Sequence, residues 1–173
     1  MKKIALIYWP KKGNTEKAAQ KIYSRFDESQ VDIFTIKYFN TAEFALYDAF
    51  IIGAPTTGAD NWTEAYKSIW TDFFLRLSKA DIKGKPFAIF GLGDQILYPY
   101  NFVDGMMDIK TEFEKNGAKH IGSWPVEGYE FRESESIEGG KFVGLALDED
   151  QQPELTDSRI DEWTSMLKKE LGI

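Results

Sequence analysis

Ile4-Ala5-Leu6-Ile7-Tyr8 is an unbroken apolar run, and Trp9-Pro10-Lys11-Lys12-Gly13-Asn14-Thr15 follows it directly. Such a run reads as a strand buried on both faces, the kind that lies inside a parallel sheet. From Thr15 the period changes, and Ala18, Ala19, Ile22, Tyr23 and Phe26 fall on one helical face. The loop between strand and helix has a chemistry of its own. A strand-to-helix turn presents backbone N–H groups and a positive helix end, which suit a phosphate. Gly13 lets the backbone approach closely, Asn14 and Thr15 offer hydrogen bonds, and Lys11 and Lys12 add charge. Taken alone, the loop reads equally well as a solvated surface turn. It carries no Walker pattern and no G-x-G-x-x-G, so nucleotide hydrolysis and dinucleotide binding lack their motifs.

Outward from this unit, Val31 to Ile36 reads as a second strand. Phe50-Ile51-Ile52-Gly53 is a third, ended by Pro55, and a helix follows over residues 63–77. Phe87-Ala88-Ile89-Phe90 is a fourth strand. Gly91 and Gly93 open the next loop, and Asn101, with Asp104 three residues on, is the expected N-cap of a helix reaching Asn116. His120 to Trp124 is a fifth strand, Pro125 to Lys141 a polar stretch, and Phe142 to Leu147 a further apolar segment. A last helix carries Ile160, Trp163, Leu167 and Leu171 on one face. Alternating strands and helices predict an α/β fold with a parallel sheet and right-handed crossovers. Ligands of such sheets sit beyond the carboxyl ends of the strands, at the loops after Tyr8, Gly53 and Phe90.

The 173 residues, 43% of them hydrophobic, suit one globular domain over 1–173. No apolar run is long enough to span a bilayer, and the start lacks the pattern of a signal peptide, so a cytoplasmic location is expected. Cysteine is absent, which removes disulfides, thiolate catalysis and thiolate metal sites. His120 is the single histidine and is expected at the surface; no metal site is expected. The net charge of −7 argues against nucleic acid and permits docking to basic proteins.

The second loop is Ala54-Pro55-Thr56-Thr57-Gly58-Ala59-Asp60-Asn61-Trp62, and the third is Gly91-Leu92-Gly93-Asp94-Gln95-Ile96-Leu97-Tyr98. Asp94 is able to accept from a ring N–H or to stabilise a turn; Tyr98 is able to stack on a flat ring or to pack in the core. These three loops, in this order, resemble the phosphate loop and the two ring-flanking loops of flavodoxins. The run Gly-x-Gly-Asp-Gln-x-x-Tyr is similar to the long-chain subgroup, as are Trp124-Pro125 with Glu127-Gly128-Tyr129 and the stretch from Phe142 to Asp150. The likeness extends over essentially the whole chain.

The resemblance implies a doubly wound five-stranded parallel sheet of order 2-1-3-4-5, with helices on both faces and the fifth strand split by the loop 125–141. It implies one noncovalent FMN. Gly13, Asn14 and Thr15 would hold its phosphate, with Trp9, Pro10, Lys11 and Lys12 in the same loop. Thr56, Thr57 and Gly58 would lie along the inner ring face and N5 edge, between Pro55 and Ala59. Leu92 and Gly93 would offer backbone groups, Asp94 would meet the N3–H, and Tyr98 would cover the outer face. Asn101 and Asp150 would lie near the ring edge or ribityl chain. Three positions depart from the family pattern. Pro10 and Lys12 stand where hydroxyl residues are usual, and Thr57 stands where long-chain members place tryptophan, leaving Trp62 as an alternative cover. The implied function is low-potential, one-electron transfer with a stabilised neutral semiquinone, by a monomeric carrier rather than an enzyme. Its partners would be a flavodoxin reductase and low-potential redox enzymes, met through an acidic surface with neither nucleic acid nor membrane involved. The alternative is an FMN-dependent quinone or nitro reductase on the same fold, for which no nicotinamide site is legible.

Overall fold

The computed structural model of the chain describes residues 2–54 and 64–173, with the backbone alone for 64–67. Its main sheet has β1 (Ile4–Tyr8), β3 (Ala49–Ala54) and β4 (Pro86–Leu92) at the centre and β2 (Val31–Thr35) at one edge. β1 and β3 are buried at every residue, which is why their sequences show no polar alternation. The strands run parallel in the order β2-β1-β3-β4-β5, with β5 at Lys119–His120, as the family resemblance implies. This is a doubly wound arrangement, with its switch point between β1 and β3.

Among the described residues the α-helices are α1 (Asn14–Tyr23), α2 (Glu64–Leu77) and α3 (Gly105–Lys115) between strands and α4 (Thr156–Leu171) after the last one. Neighbouring residues of β4 show how they divide between the faces. Phe87 stacks on Phe113 of α3 with ring centres 4.9 Å apart, and Phe113 in turn meets Phe73 of α2. The next residue, Ala88, points to the other face, where Leu167 and Trp163 of α4 crowd the same space beside Gly122. α4 also packs against α1, and Arg25 just beyond α1 bonds Asp161 of α4 at 2.7 Å.

The fifth strand is split, and its pieces differ from the expected ones. β5 is only Lys119–His120, beside Pro86 and Phe87. β9 (Leu145–Leu147) pairs with Phe90 to Leu92 further along β4. Trp124, expected to end the fifth strand, and Pro125, expected to open the loop, instead form β6 of a second, antiparallel sheet with β7 (Ile137–Glu138) and β8 (Lys141–Phe142). Gly139 and Gly140 connect β7 to β8 with φ of 58° and 77°, the positive values a two-residue hairpin turn requires. This insertion has its own aromatic cluster, in which Phe102 stacks on Phe131 and Tyr129 meets Phe142 edge-on. Where the chain rejoins the sheet, a Cβ on Gly144 would lie 2.2 Å from the Ile89 carbonyl oxygen, so no larger residue fits.

Two local expectations need correction. His120 is half-buried rather than at the surface: its Nε2 lies 2.6 Å from the Val143 carbonyl oxygen and its ring packs on Phe87. α3 begins at Gly105, with Asp104 in the capping position and not Asn101. The Asp104 carboxylate is engaged by Asn101 and by the Glu135 N–H of the insertion, and the turn through 101–104 delays the helix.

Candidate functional site

Three of the strand ends meet where the second loop leaves the described residues. Pro55, Thr56, Thr57, Gly58 and Ala59, with Trp62 and Asp60, lie outside those residues. The other two loops define the site from opposite sides.

The first loop turns sharply into α1. Lys12 holds a left-handed φ of 64°, and Gly13 follows at 145°, a value open to glycine. Glu16, one turn into the helix, ties this shape: it accepts from the Lys12 N–H at 2.8 Å and from the Tyr8 hydroxyl at 2.6 Å. The Tyr8 hydroxyl first, then the Lys12 N–H, hold the Glu16 carboxyl below the usual glutamate range. Gly13 caps α1 without a side-chain hydrogen bond, so the first-turn N–H groups keep their dipole exposed toward the loop. Thr15 is buried there, and the Trp9 indole Nε1 is a buried donor without an acceptor among the described residues. Lys11 lines an outer groove with Tyr8, Glu16 and Gln20.

Opposite lies the loop after β4. A cavity of about 140 Å³ is lined by Asn14 from α1, by Leu92, Gly93, Asp94, Leu97 and Tyr98 from this loop, and by Glu149 and Asp150 beyond β9. Asp94 folds the loop on itself, its Oδ1 accepting from the N–H groups of Ile96 and Leu97. Gln151 Nε2 reaches Asp94 Oδ1 at 3.0 Å, and the Gly93 N–H reaches the Leu147 carbonyl at 3.0 Å. Partial loss of water around Asp150, and then the charges of Asp94, Asp148 and Glu149, raise its carboxyl above the usual aspartate range. An anionic ligand group placed against these acids is destabilised by the same field.

Thus Asn14, Leu92, Gly93, Asp94, Tyr98 and Asp150 converge on one cavity. Among the described residues, Trp9, Pro10, Lys11, Lys12, Gly13 and Thr15 stand beside it in the first loop without lining it. Asn101 is exposed and bonds Asp104 instead. Leu97 and Glu149 line the cavity without having been singled out, and the buried pair Gln95 and Asp148 sits behind it. Gln95 stood in a quoted motif, but nothing in the sequence distinguishes a buried glutamine from a solvated one. Among the described residues, no group of acids and histidine is arranged to hold a metal.

The comparisons with known proteins agree with this geometry. The flavodoxin family matches residues 6–163. The flavodoxin of Synechocystis is 41% identical over 97% of both chains, and that of Synechococcus elongatus is 39% identical over the full length of both. Among solved structures, Fusobacterium nucleatum flavodoxin bound to flavin mononucleotide superposes with a TM-score of 0.85 at 29% identity, covering 98% of this chain and 99% of that one. The chain belongs to the flavodoxin family. No helix among the described residues is long and apolar enough to cross a membrane.

Proposed function

We propose that this chain is a low-potential, one-electron carrier that binds one FMN noncovalently and is not itself an enzyme. The observation that carries the reading is the cavity joining the α1 start to Asp94 and Tyr98 at the carboxyl edge of the sheet. The residues present fit the group. The bare start of α1 with Gly13, Asn14 and Thr15 suits a phosphate dianion, with Lys12 supplying charge; Trp9 brings an unpartnered donor. Tyr98 suits the outer ring face, Asp94 Oδ2 the N3–H, and the Leu92 and Gly93 backbone the ring edge. Pro55, Thr56, Thr57, Gly58 and Ala59 would complete the inner side. FMN supplies the redox chemistry, and the acids Asp94, Glu149 and Asp150 disfavour added negative charge, which makes the fully reduced form a strong reductant.

The partners we propose are a flavodoxin reductase and low-potential redox enzymes. Glu127, Glu130, Glu133 and Glu135 of the insertion are exposed and suit a basic docking face; Glu138 is exposed too but is engaged by Lys110 at 3.1 Å. The chain acts as a monomer, as one domain over 1–173, in the cytoplasm, without nucleic acid or membrane. The test starts with the purified protein, which is expected to be yellow and to release FMN on acidification. NAD(P)H alone reduces it very slowly; adding a flavodoxin reductase gives fast reduction that slows with salt. A colourless protein that gains no flavin spectrum on incubation with FMN ends the reading, and rapid unaided NADPH oxidation with a quinone acceptor replaces it with a reductase.

A further inference from the structure

Behind the loop that carries Asp94 and Tyr98 lies a buried polar joint. Gln95 is 1% exposed and Asp148 is 0% exposed. The Asp148 Oδ2 accepts from the Gln95 N–H at 3.0 Å and from Gln95 Nε2 at 2.9 Å. Its Oδ1 accepts from the N–H groups of Asp150 at 3.1 Å and Gln151 at 2.9 Å. The far side of the same amide is also used, because Gln95 Oε1 accepts from the Glu130 N–H of the insertion. One side chain therefore ties three separate pieces of chain: the 93–98 loop, the 148–151 turn and the insertion. Two of these line the cavity.

The geometry requires an amide at this position. Asp148 offers only acceptor oxygens toward Gln95, while Glu130 offers only a donor. A side chain between them must donate on one side and accept on the other, and glutamine does both without charge. We infer that Gln95 is a positioning residue for the flavin site: it orients Asp94–Tyr98 against Asp150 by donating to Asp148 while holding the insertion at Glu130. The inference rests on FMN being the ligand of this cavity.

Swapping the amide for a carboxyl tests the donor requirement. In Gln95→Glu the oxygen facing Glu130 is kept, but the introduced carboxyl meets Asp148 at about hydrogen-bond distance and fits only when the pair holds a shared proton. Asp94, Glu149 and Asp150 surround this point and add negative charge, while the Arg159 guanidinium lies over Tyr129 at 4.0 Å. Like-charge neighbours raise the pair's proton affinity, so protonation at mildly acidic pH restores the donor. Gln95→Ala removes donor and acceptor together and has nothing to restore. The experiment titrates the apoprotein of each variant, and of the unaltered chain, with FMN from about pH 5 to about pH 8, with circular dichroism to confirm folding. Each dissociation constant is divided by that of the unaltered chain at the same pH, which removes the titration of the phosphate and of Asp150. The expected result is roughly tenfold weaker binding for both variants at the alkaline end. At the acid end Gln95→Glu returns to within about twofold of the unaltered chain, and Gln95→Ala does not. Equal ratios for the two variants at every pH, or no loss in either, overturn the inference. Failure of the unaltered chain to bind FMN overturns the functional reading instead.

Discussion

The two described walls of the site are built on opposite plans. Among the described residues, the wall at Trp9–Thr15 is tethered by the Glu16 carboxylate, and no side-chain cap occupies the donors at the start of α1. The wall at Gly93–Tyr98 has its donors consumed from within by Asp94, Asp148 and Leu147, and is backed by the insertion through Glu130, Arg132 and Glu133, the last two both donating to Pro99. The difference follows from what each wall must meet. A phosphate needs free N–H groups, so that loop must keep them unpaired, and its shape has to come from a few side-chain bonds outside the binding face. A flat ring needs a surface of fixed orientation, which a densely cross-bonded loop provides.

Four measurements break or sharpen this contrast. The largest effect is expected on the braced side. Gly144→Ala forces a methyl onto the Ile89 carbonyl where the insertion rejoins β4, and the apoprotein should lose at least about 3 kcal/mol in urea unfolding. An unchanged midpoint would mean that β9 yields easily and the brace is soft. Next comes the open wall. Lys12→Ala should weaken FMN binding by roughly tenfold while leaving riboflavin, which has no phosphate, unaffected. Lys11→Ala should do less, since Lys11 faces the outer groove with Glu16 and Gln20. Equal losses for both ligands would make Lys12 a support of the loop's shape.

A smaller effect attaches to His120, which links β5 to the end of the insertion at Val143. Burial pushes its pKa down, against an opposing contribution from the Val143 bond. The folded chain thus holds this proton more weakly than the unfolded one. The neutral ring's contribution is complete above the unfolded value, about 6.5, and is lost as pH falls below it. As the chain's one histidine, it gives a single imidazole resonance, which should titrate below that value. Stability should fall less on acidification in His120→Gln than in the unaltered chain, and parallel curves would count against the buried ring. The smallest effect is at Glu16. Its carboxyl should titrate below the ordinary glutamate range by NMR and move upward in Tyr8→Phe. Its stabilisation is present above the unfolded pKa and fades as pH falls through the folded one, and solvent screening keeps it slight. An unmoved titration in Tyr8→Phe would leave the loop without the tether described.

The central strands were legible because burial on both faces writes an uninterrupted apolar run, as at Ile4–Tyr8 and Phe87–Phe90, and the glycines placed the loops. The insertion was harder to read. Its strands are two residues long, too short for alternation to register, although Gly139-Gly140 between Glu138 and Lys141 was a hairpin signal that could have been taken. His120 looked like a surface residue because Lys119 beside it is exposed, while the carbonyl that draws its ring inward comes from Val143. Gln95 and Asp148 were unreadable as a pair for the same reason: a polar side chain is buried by its partner, and the partner is remote in sequence.

The division of the last strand also bears on the order in which the molecule can be completed. As the chain is made from its amino end, β1, β3 and β4 are able to pair in turn, and Lys119–His120 then covers the start of β4. Phe90–Leu92 keeps an unpaired edge until Leu145–Leu147 has been made, because the whole insertion must emerge first. An open edge on a growing chain is a template for wrong pairing. Glu130, Arg132 and Glu133, whose N–H groups meet Gln95 and Pro99 in the finished fold, precede that strand in the chain, so these props are made before the strand that seals the edge.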